Sequence, residues 1–156
     1  MIRKALKSDI EKINELLLEV LEIHAKIRPD IFIPGTTKYT NKELEAIINC
    51  DATPVFLYEE DGVVLGHAFC QIKSHISNNI KSYKSLYIDD LCVKSNARGK
   101  SIGKKLVEYV KDFAKSIGCY EVTLNVWEGN DNAKSFYDKM GFTVKETMLE
   151  FILDEE

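Results

Sequence analysis

The stretch Asn96–Leu106, NARGKSIGKKL, packs three lysines, one arginine and two glycines between an apolar segment and a helical pattern. It therefore commits the chain to a strand, a glycine-containing turn and a helix N-terminus in succession. Free N–H groups and the positive end of the helix dipole meet at such a junction, and small residues let an anion approach the backbone. Cations at the start of a helix oppose its dipole, each by about 0.3 to 1 kcal/mol, so Lys100, Lys104 and Lys105 make most sense opposite a polyphosphate. The bland alternative is a solvated basic turn. Gly99-Lys100-Ser101 has the ending of a Walker A motif, GxxxxGK[ST], but position 94 is Lys rather than Gly. The frame at Gly103-Lys104 fails too, with Arg98 at its first position and Lys105 where a hydroxyl belongs. This argues against a nucleotide-hydrolysing P-loop.

Reading outward, IRKAL is a first short strand, and Ser8 with Glu11 has the spacing of a capping box. Ile10, Ile13, Leu16, Leu17, Val20, Leu21 and His24 follow helical spacing, and the helix should end before Pro29. A loop leads to a second short helix near residues 41–50. TPVFLYEEDGVVLGHAFCQI is a hairpin turning at Asp61-Gly62. After the polar NNIKSY come a strand at Ser85 to Val93, a helix from Ser101 to Ser116 ended by Gly118, and the strand YEVTLNVW. DNAKSFYDKM forms a last helix, stopped by Gly141, and FTVKETMLEFIL supplies a closing strand or strands. The order predicts one mixed α/β domain over residues 1–156.

In LYIDDLCV, Leu86 and Ile88 share one parity while Leu91 and Val93 share the other. The slip at Asp89-Asp90 suits an extra residue in one strand, a bulge of the kind found beside active sites. A strand buried on both faces without a bulge would read the same way. Both aspartates are expensive to bury unpaired, which places them on a polar cleft or edge.

A formal charge of -4 argues against general attraction to nucleic acid or anionic lipid, so any anion site must be local. Cys50, Cys70, Cys92 and Cys119 lie 20, 22 and 27 residues apart, which gives no CxxC zinc or redox pair, and no metal site is expected. They read as buried free thiols. No run resembles a signal peptide or membrane span, so the expected location is cytoplasmic.

Arg98-Gly99-Lys100-Ser101-Ile102-Gly103 is followed by Asn130, Ala133, Phe136, Tyr137, Gly141 and Phe142 in the pattern N-x-x-A-x-x-F-Y-x-x-x-G-F. Together these resemble the GNAT superfamily of acetyl-CoA-dependent N-acetyltransferases. The family's phosphate loop reads [QR]-x-x-G-x-[GA]; Arg98 and Gly103 match, and Ser101 replaces the middle glycine. The resemblance implies the acyl-CoA N-acyltransferase fold, a largely antiparallel sheet flanked by helices with two splayed parallel strands, here those of Leu91 and Leu124. It implies acetyl-CoA as co-substrate, with its pyrophosphate over Arg98 to Lys104 and its pantetheine arm beside Leu91, Cys92 and Val93. Many members form homodimers.

Acetyl transfer to an amine needs a neutral nucleophile, a stabilised oxyanion and a proton for the leaving thiolate. By resemblance, a backbone N–H near Leu91 or Cys92 polarises the carbonyl and Tyr137 protonates the sulfur. A phenol with a reference pKa near ~10 holds its proton at neutral pH. The alternative for Tyr137 is a packing role between Phe136 and Met140. Asn130 is placed to cap the last helix, and the family sets it near the pantetheine arm. Many members carry Glu where this chain has Asn125, so the base must come from elsewhere. The candidates are Asp89, Asp90, Glu128 and His24, the last also reading as a packed helical residue. His67 and His75 look like ordinary strand positions. An apolar setting for Cys92 would suppress its thiolate, favouring direct transfer over an acetyl-enzyme. The acceptor should lie between the first helix, HAKIRPDIF, and Trp127 with Glu128. These acidic groups suit a small cationic amine; a protein N-terminus or lysine is the alternative acceptor. A non-catalytic acyl-CoA sensor is the alternative of another class.

Overall fold

The computed structural model describes residues 1–153. Five strands form one sheet in sequence order: β1 (Ile2–Lys4), β2 (Val55–Glu60), β3 (Val63–His75), β4 (Tyr83–Val93) and β5 (Glu121–Leu124). The first four pair antiparallel, and β4 with β5 is parallel. Four helices flank the sheet: α1 (Ile10–Ile27), α2 (Asn41–Ile48), α3 (Ile102–Ser116) and α4 (Asp131–Lys139). The β2–β3 hairpin turns at Asp61 and Gly62, whose φ values of 52° and 78° are the positive pair that a tight right-twisting hairpin requires.

Strand alternation divides the core into two layers. Phe56, Tyr58, Ala68, Cys70, Leu86 and Ile88 face α3 and meet Ile102, Leu106, Val110 and Ala114. Val55, Leu57, Val64, Phe69 and Cys92 face the other way, against Ile13, Leu16 and Leu17 of α1 and Leu44 of α2. Gly66 lets α3 settle close to the sheet. A Cβ there would stand 2.9 Å from the Cys92 carbonyl oxygen and 3.2 Å from Leu106.

The ends of elements depart from the sequence expectations in four places. The Ser8–Glu11 capping box does not form; instead the Asp9 carboxylate accepts from the Leu6 N–H at 2.7 Å and from Arg3 at 2.8 and 2.9 Å, and α1 starts at Ile10. The arginine makes Asp9 the stronger anchor. The capping box that does form is at α2, where Thr40 and Glu43 exchange bonds of 3.1 and 3.0 Å. The fifth strand is shorter than YEVTLNVW, ending at Leu124, while the fourth begins earlier, at Tyr83. Finally, no strand is formed by the expected closing segment FTVKETMLEFIL. Residues 143–153 have no regular structure and lie exposed.

Candidate functional site

The β3–β4 register runs Phe69↔Asp90 and then Cys70↔Ile88, leaving Asp89 without a partner. This is the bulge that the parity slip anticipated. A bulge turns two successive side chains to one side of the sheet, and both aspartates accordingly face the α1–α2 layer. Asp89 Oδ2 accepts from Lys38 Nζ at 3.2 Å and from the Tyr39 hydroxyl at 3.3 Å. Asp90 Oδ2 lies 2.7 Å from His67 Nε2. His67 is fully buried, and among the described residues its Nδ1 has no partner. With Nε2–H donating to the Asp90 carboxylate, the ring is fixed beside that side chain. His67 is thus no ordinary strand position. The sequence hid this because the contact joins residues 23 apart across two strands.

The same bulge marks where the sheet opens. Pairing of β4 with β5 ends at Ile88↔Leu124, so β4 continues from Asp89 to Val93 with no described strand on its β5 side. Beyond Val93 the chain makes one 3-10 turn, Ser95–Ala97, and reaches the basic loop. Gly99 (φ 91°) and Ser101 (φ 59°) adopt left-handed conformations that bring the loop into α3. The Ser101 side chain makes no capping bond. The first helical bond is from Lys105 N–H to the Ser101 carbonyl, so the N–H groups of Ile102, Gly103 and Lys104 have no intrahelical acceptor. Among the described residues Arg98, Lys100 and Lys104 enter no ion pair. At Gly103 an added Cβ would meet Phe136 Cζ at 3.2 Å, so this glycine seats α4 against the loop. Free donors, free cations and a narrow backbone cradle fit a pyrophosphate.

Tyr137 projects from α4 between Phe136 and Phe142, with ring centroids 5.0 and 5.5 Å away. Burial pushes its hydroxyl pKa well above the ordinary value and the Asp90 charge adds to the effect, so the phenol stays protonated. Asn130 caps α4 by accepting from the Ala133 N–H at 3.3 Å. Asn125 donates to the Tyr87 hydroxyl at 3.1 Å.

On the α1 side, His24 stands 5.3 Å from the Phe32 ring, which meets Trp127 edge-on at 5.5 Å. Burial lowers the His24 pKa, opposed by the negative charge of Asp90. Arg28 lies over Trp127 at 5.7 Å while paired with Asp30. An opening of about 380 Å³ separates α1 from the β5–α4 loop, lined by Ile23, Ile27, Gly129 and Asn130. That opening is lined by none of Asp89, Asp90, His24 and Tyr137; the charge of Asp90 reaches both His24 and Tyr137, whereas Glu128 is exposed and held by Lys134. The Cys92 thiol is pushed far up, first by burial and then by nearby acidic charge, which suppresses its thiolate. No group of three or more potential metal-ligating side chains occurs among the described residues.

Relatives share this framework. The chain is 33% identical over 102 residues to glucosamine 6-phosphate N-acetyltransferase of Arabidopsis thaliana, a match covering 56% of this chain and 66% of that enzyme. It is 28% identical to the Trypanosoma brucei brucei enzyme of the same name, covering 62% and 63%. The matched regions thus span a little under two thirds of these relatives. Among solved structures, a mutant of the BH1408 protein of Bacillus halodurans superposes with a TM-score of 0.93 at 26% identity, covering 98% of this chain and 99% of that one. The aminoglycoside N-acetyltransferase AAC(6')-Iy in complex with CoA has the same fold, with a TM-score of 0.72 at 19% identity, covering 98–99% of this chain and 93–99% of that one. The profile described as Acetyltransferase (GNAT) family matches residues 17–142. With most of its length inside that match and its sheet opening beside the N-terminus of α3, the chain belongs to the GNAT acetyltransferase family.

Proposed function

We propose that this chain is an N-acetyltransferase that passes the acetyl group of acetyl-CoA directly to a small cationic amine in a ternary complex. The observation that carries the reading is the open β4 edge from Asp89 to Val93, continuous with the donor-rich N-terminus of α3. Bound acetyl-CoA supplies an activated thioester. The N–H groups from Arg98 to Lys104 would hold its pyrophosphate, and the edge at Leu91, Cys92 and Val93 would take its pantetheine arm as an added strand. A backbone N–H at Leu91 or Cys92 would then donate to the carbonyl oxygen as negative charge develops there.

Among the candidate bases we choose Asp90. It is buried, oriented by His67, and electrostatically close to both His24 and Tyr137. Asp89 is engaged by Lys38 and Tyr39, and Glu128 by Lys134. The amine reaches the attack having given one proton to solvent; as its nitrogen attacks the thioester carbon, a second proton passes to Asp90 through a bridging water. The C–S bond breaks, the amide forms, Tyr137 gives its proton to the departing sulfur, and the proton held by Asp90 returns through water to Tyr137. The raised Cys92 thiol supports direct transfer over an acetyl-enzyme.

The named activities of the relatives, on glucosamine 6-phosphate and on thialysine, support an amine acceptor of small size. The aromatic wall of Phe32 and Trp127 with the nearby aspartates suits an amine that arrives charged and is deprotonated in the cleft. A thermal shift assay tests the carrier. Coenzyme A at a hundredfold excess over its Kd should stabilise the protein by about 2.7 kcal/mol, several degrees in Tm. Stabilisation by ATP and none by coenzyme A would overturn the assignment.

A further inference from the structure

Lys38 stands in the loop between α1 and α2 and turns its ammonium toward the bulge of β4. Its Nζ lies 3.2 Å from Asp89 Oδ2 and 5.3 Å from the centre of the Tyr39 ring. Tyr39 is itself anchored, donating to the same carboxylate oxygen at 3.3 Å and stacking on Phe69 at 6.1 Å. A carboxylate and an aromatic face together make a seat suited to an alkylammonium. The chain has filled it with its own lysine. Partial burial works against that charge, but the negative charge of Asp89, joined by Tyr39 and Asp90, outweighs it and raises the Lys38 pKa. Burial, joined by the Lys38 charge, lowers that of His24. Lys38 is therefore within electrostatic reach of Asp90, the base chosen above.

We propose that Lys38 is a self-acetylation site, its ε-amine taking the acetyl group from acetyl-CoA bound to the same chain. The proposal rests on the acetyltransferase reading and adds to it an acceptor that the chain carries itself. From Asp89 to the Leu91 N–H, where the carbonyl oxygen would be held, is about 6.6 Å along the strand. The flexible four-carbon stem of a lysine can swing through such a distance. The Lys38 ammonium first gives one proton to solvent. As its nitrogen attacks the thioester carbon, a second proton passes through a bridging water to Asp90. The C–S bond breaks, the amide forms, Tyr137 protonates the departing sulfur, and the Asp90 proton returns through water to Tyr137. Coenzyme A leaves as the thiol, and the net products are an acetylated lysine and one proton in the medium. The neutral amide no longer pairs with Asp89, so the modification also frees that carboxylate. With amine and thioester held on one molecule, the reaction is first order in protein.

The test is peptide mass mapping of the full chain after incubation with acetyl-CoA, over about a tenfold range of protein concentration. Lys7 and Lys12 serve as references for uncatalysed acetylation, since their side chains are 73% and 58% exposed against 47% for Lys38. Lys38 should nevertheless be acetylated faster than either by about a hundredfold, the usual gain from a positioned acid and base. Its half-time should not change on dilution, and its rate should saturate with acetyl-CoA. Tyr137→Phe should slow the labelling of Lys38 and leave that of Lys7 and Lys12 as it was. Equal labelling of all three lysines would overturn the proposal. So would a rate at Lys38 that falls in proportion to dilution, which marks transfer between copies. An unlabelled Lys38 in a chain that releases thiol with free small amines defeats this inference and leaves the acetyltransferase reading standing, whereas failure to bind acetyl-CoA defeats both.

Discussion

At Asp90 a carboxylate sits almost out of water with one histidine as its visible partner. A buried carboxylate needs a hydrogen-bond donor, so His67 acts on Asp90 as donor and as orienting group. Asp90→Asn should lower kcat by about a hundredfold or more, within the usual range for a lost general base. Coenzyme A affinity should stay close to that of the unaltered chain; steady-state kinetics beside calorimetric titration separates the two. His67→Ala leaves the buried carboxylate without its donor and should cost about 2–3 kcal/mol in urea unfolding. The four thiols provide a simpler check. Cys50 is exposed, whereas burial raises the Cys70 thiol to about 12 and the Cys92 thiol further. Alkylation at mildly alkaline pH should therefore label Cys50 and spare Cys70 and Cys92 until the protein unfolds, as peptide mass mapping would report.

At the scale of elements, the bulge in β4 and the loop before α3 form one device. The extra residue at Asp89 coincides with the end of the β4–β5 ladder, and the freed edge leads into the open helix N-terminus. Gly103→Val would push against Phe136 across a 3.2 Å contact and should weaken coenzyme A binding by about tenfold or more, or ~1.4 kcal/mol. Titration calorimetry measures it, and an unchanged Kd would remove Gly103 from the cradle.

Much of this device was legible in the sequence, because the parity slip and the glycine-basic run are local signals. The α2 capping box was equally readable as Thr40-x-x-Glu43. The His67–Asp90 contact was not, since it depends on a cross-strand diagonal that the register alone supplies. The apolar pattern of residues 142–153 was readable as a strand, but no regular structure forms over residues 143–153.

For the whole molecule, two apolar layers on either side of one sheet fix α3 and α1, and the sheet opens where β5 leaves β4. The buried thiols link this packing to pH. Their folded pKa values lie above the unfolded value, so the folded state keeps protons that the unfolded chain loses as pH rises. Stability should accordingly be level below about pH 8.5 and fall as pH climbs toward the folded value of about 12 for Cys70. Chemical denaturation at successive alkaline pH values tests the sign, and Cys70→Ala should flatten the decline. The central claim is settled most directly by free thiol released from acetyl-CoA when the full chain meets a panel of small cationic amines. Amine-dependent release that falls sharply in Tyr137→Phe, with coenzyme A affinity kept, is the result predicted. Tight binding of acetyl-CoA with no release above the amine-free blank for any amine would contradict it and leave a protein that holds the carrier without using it.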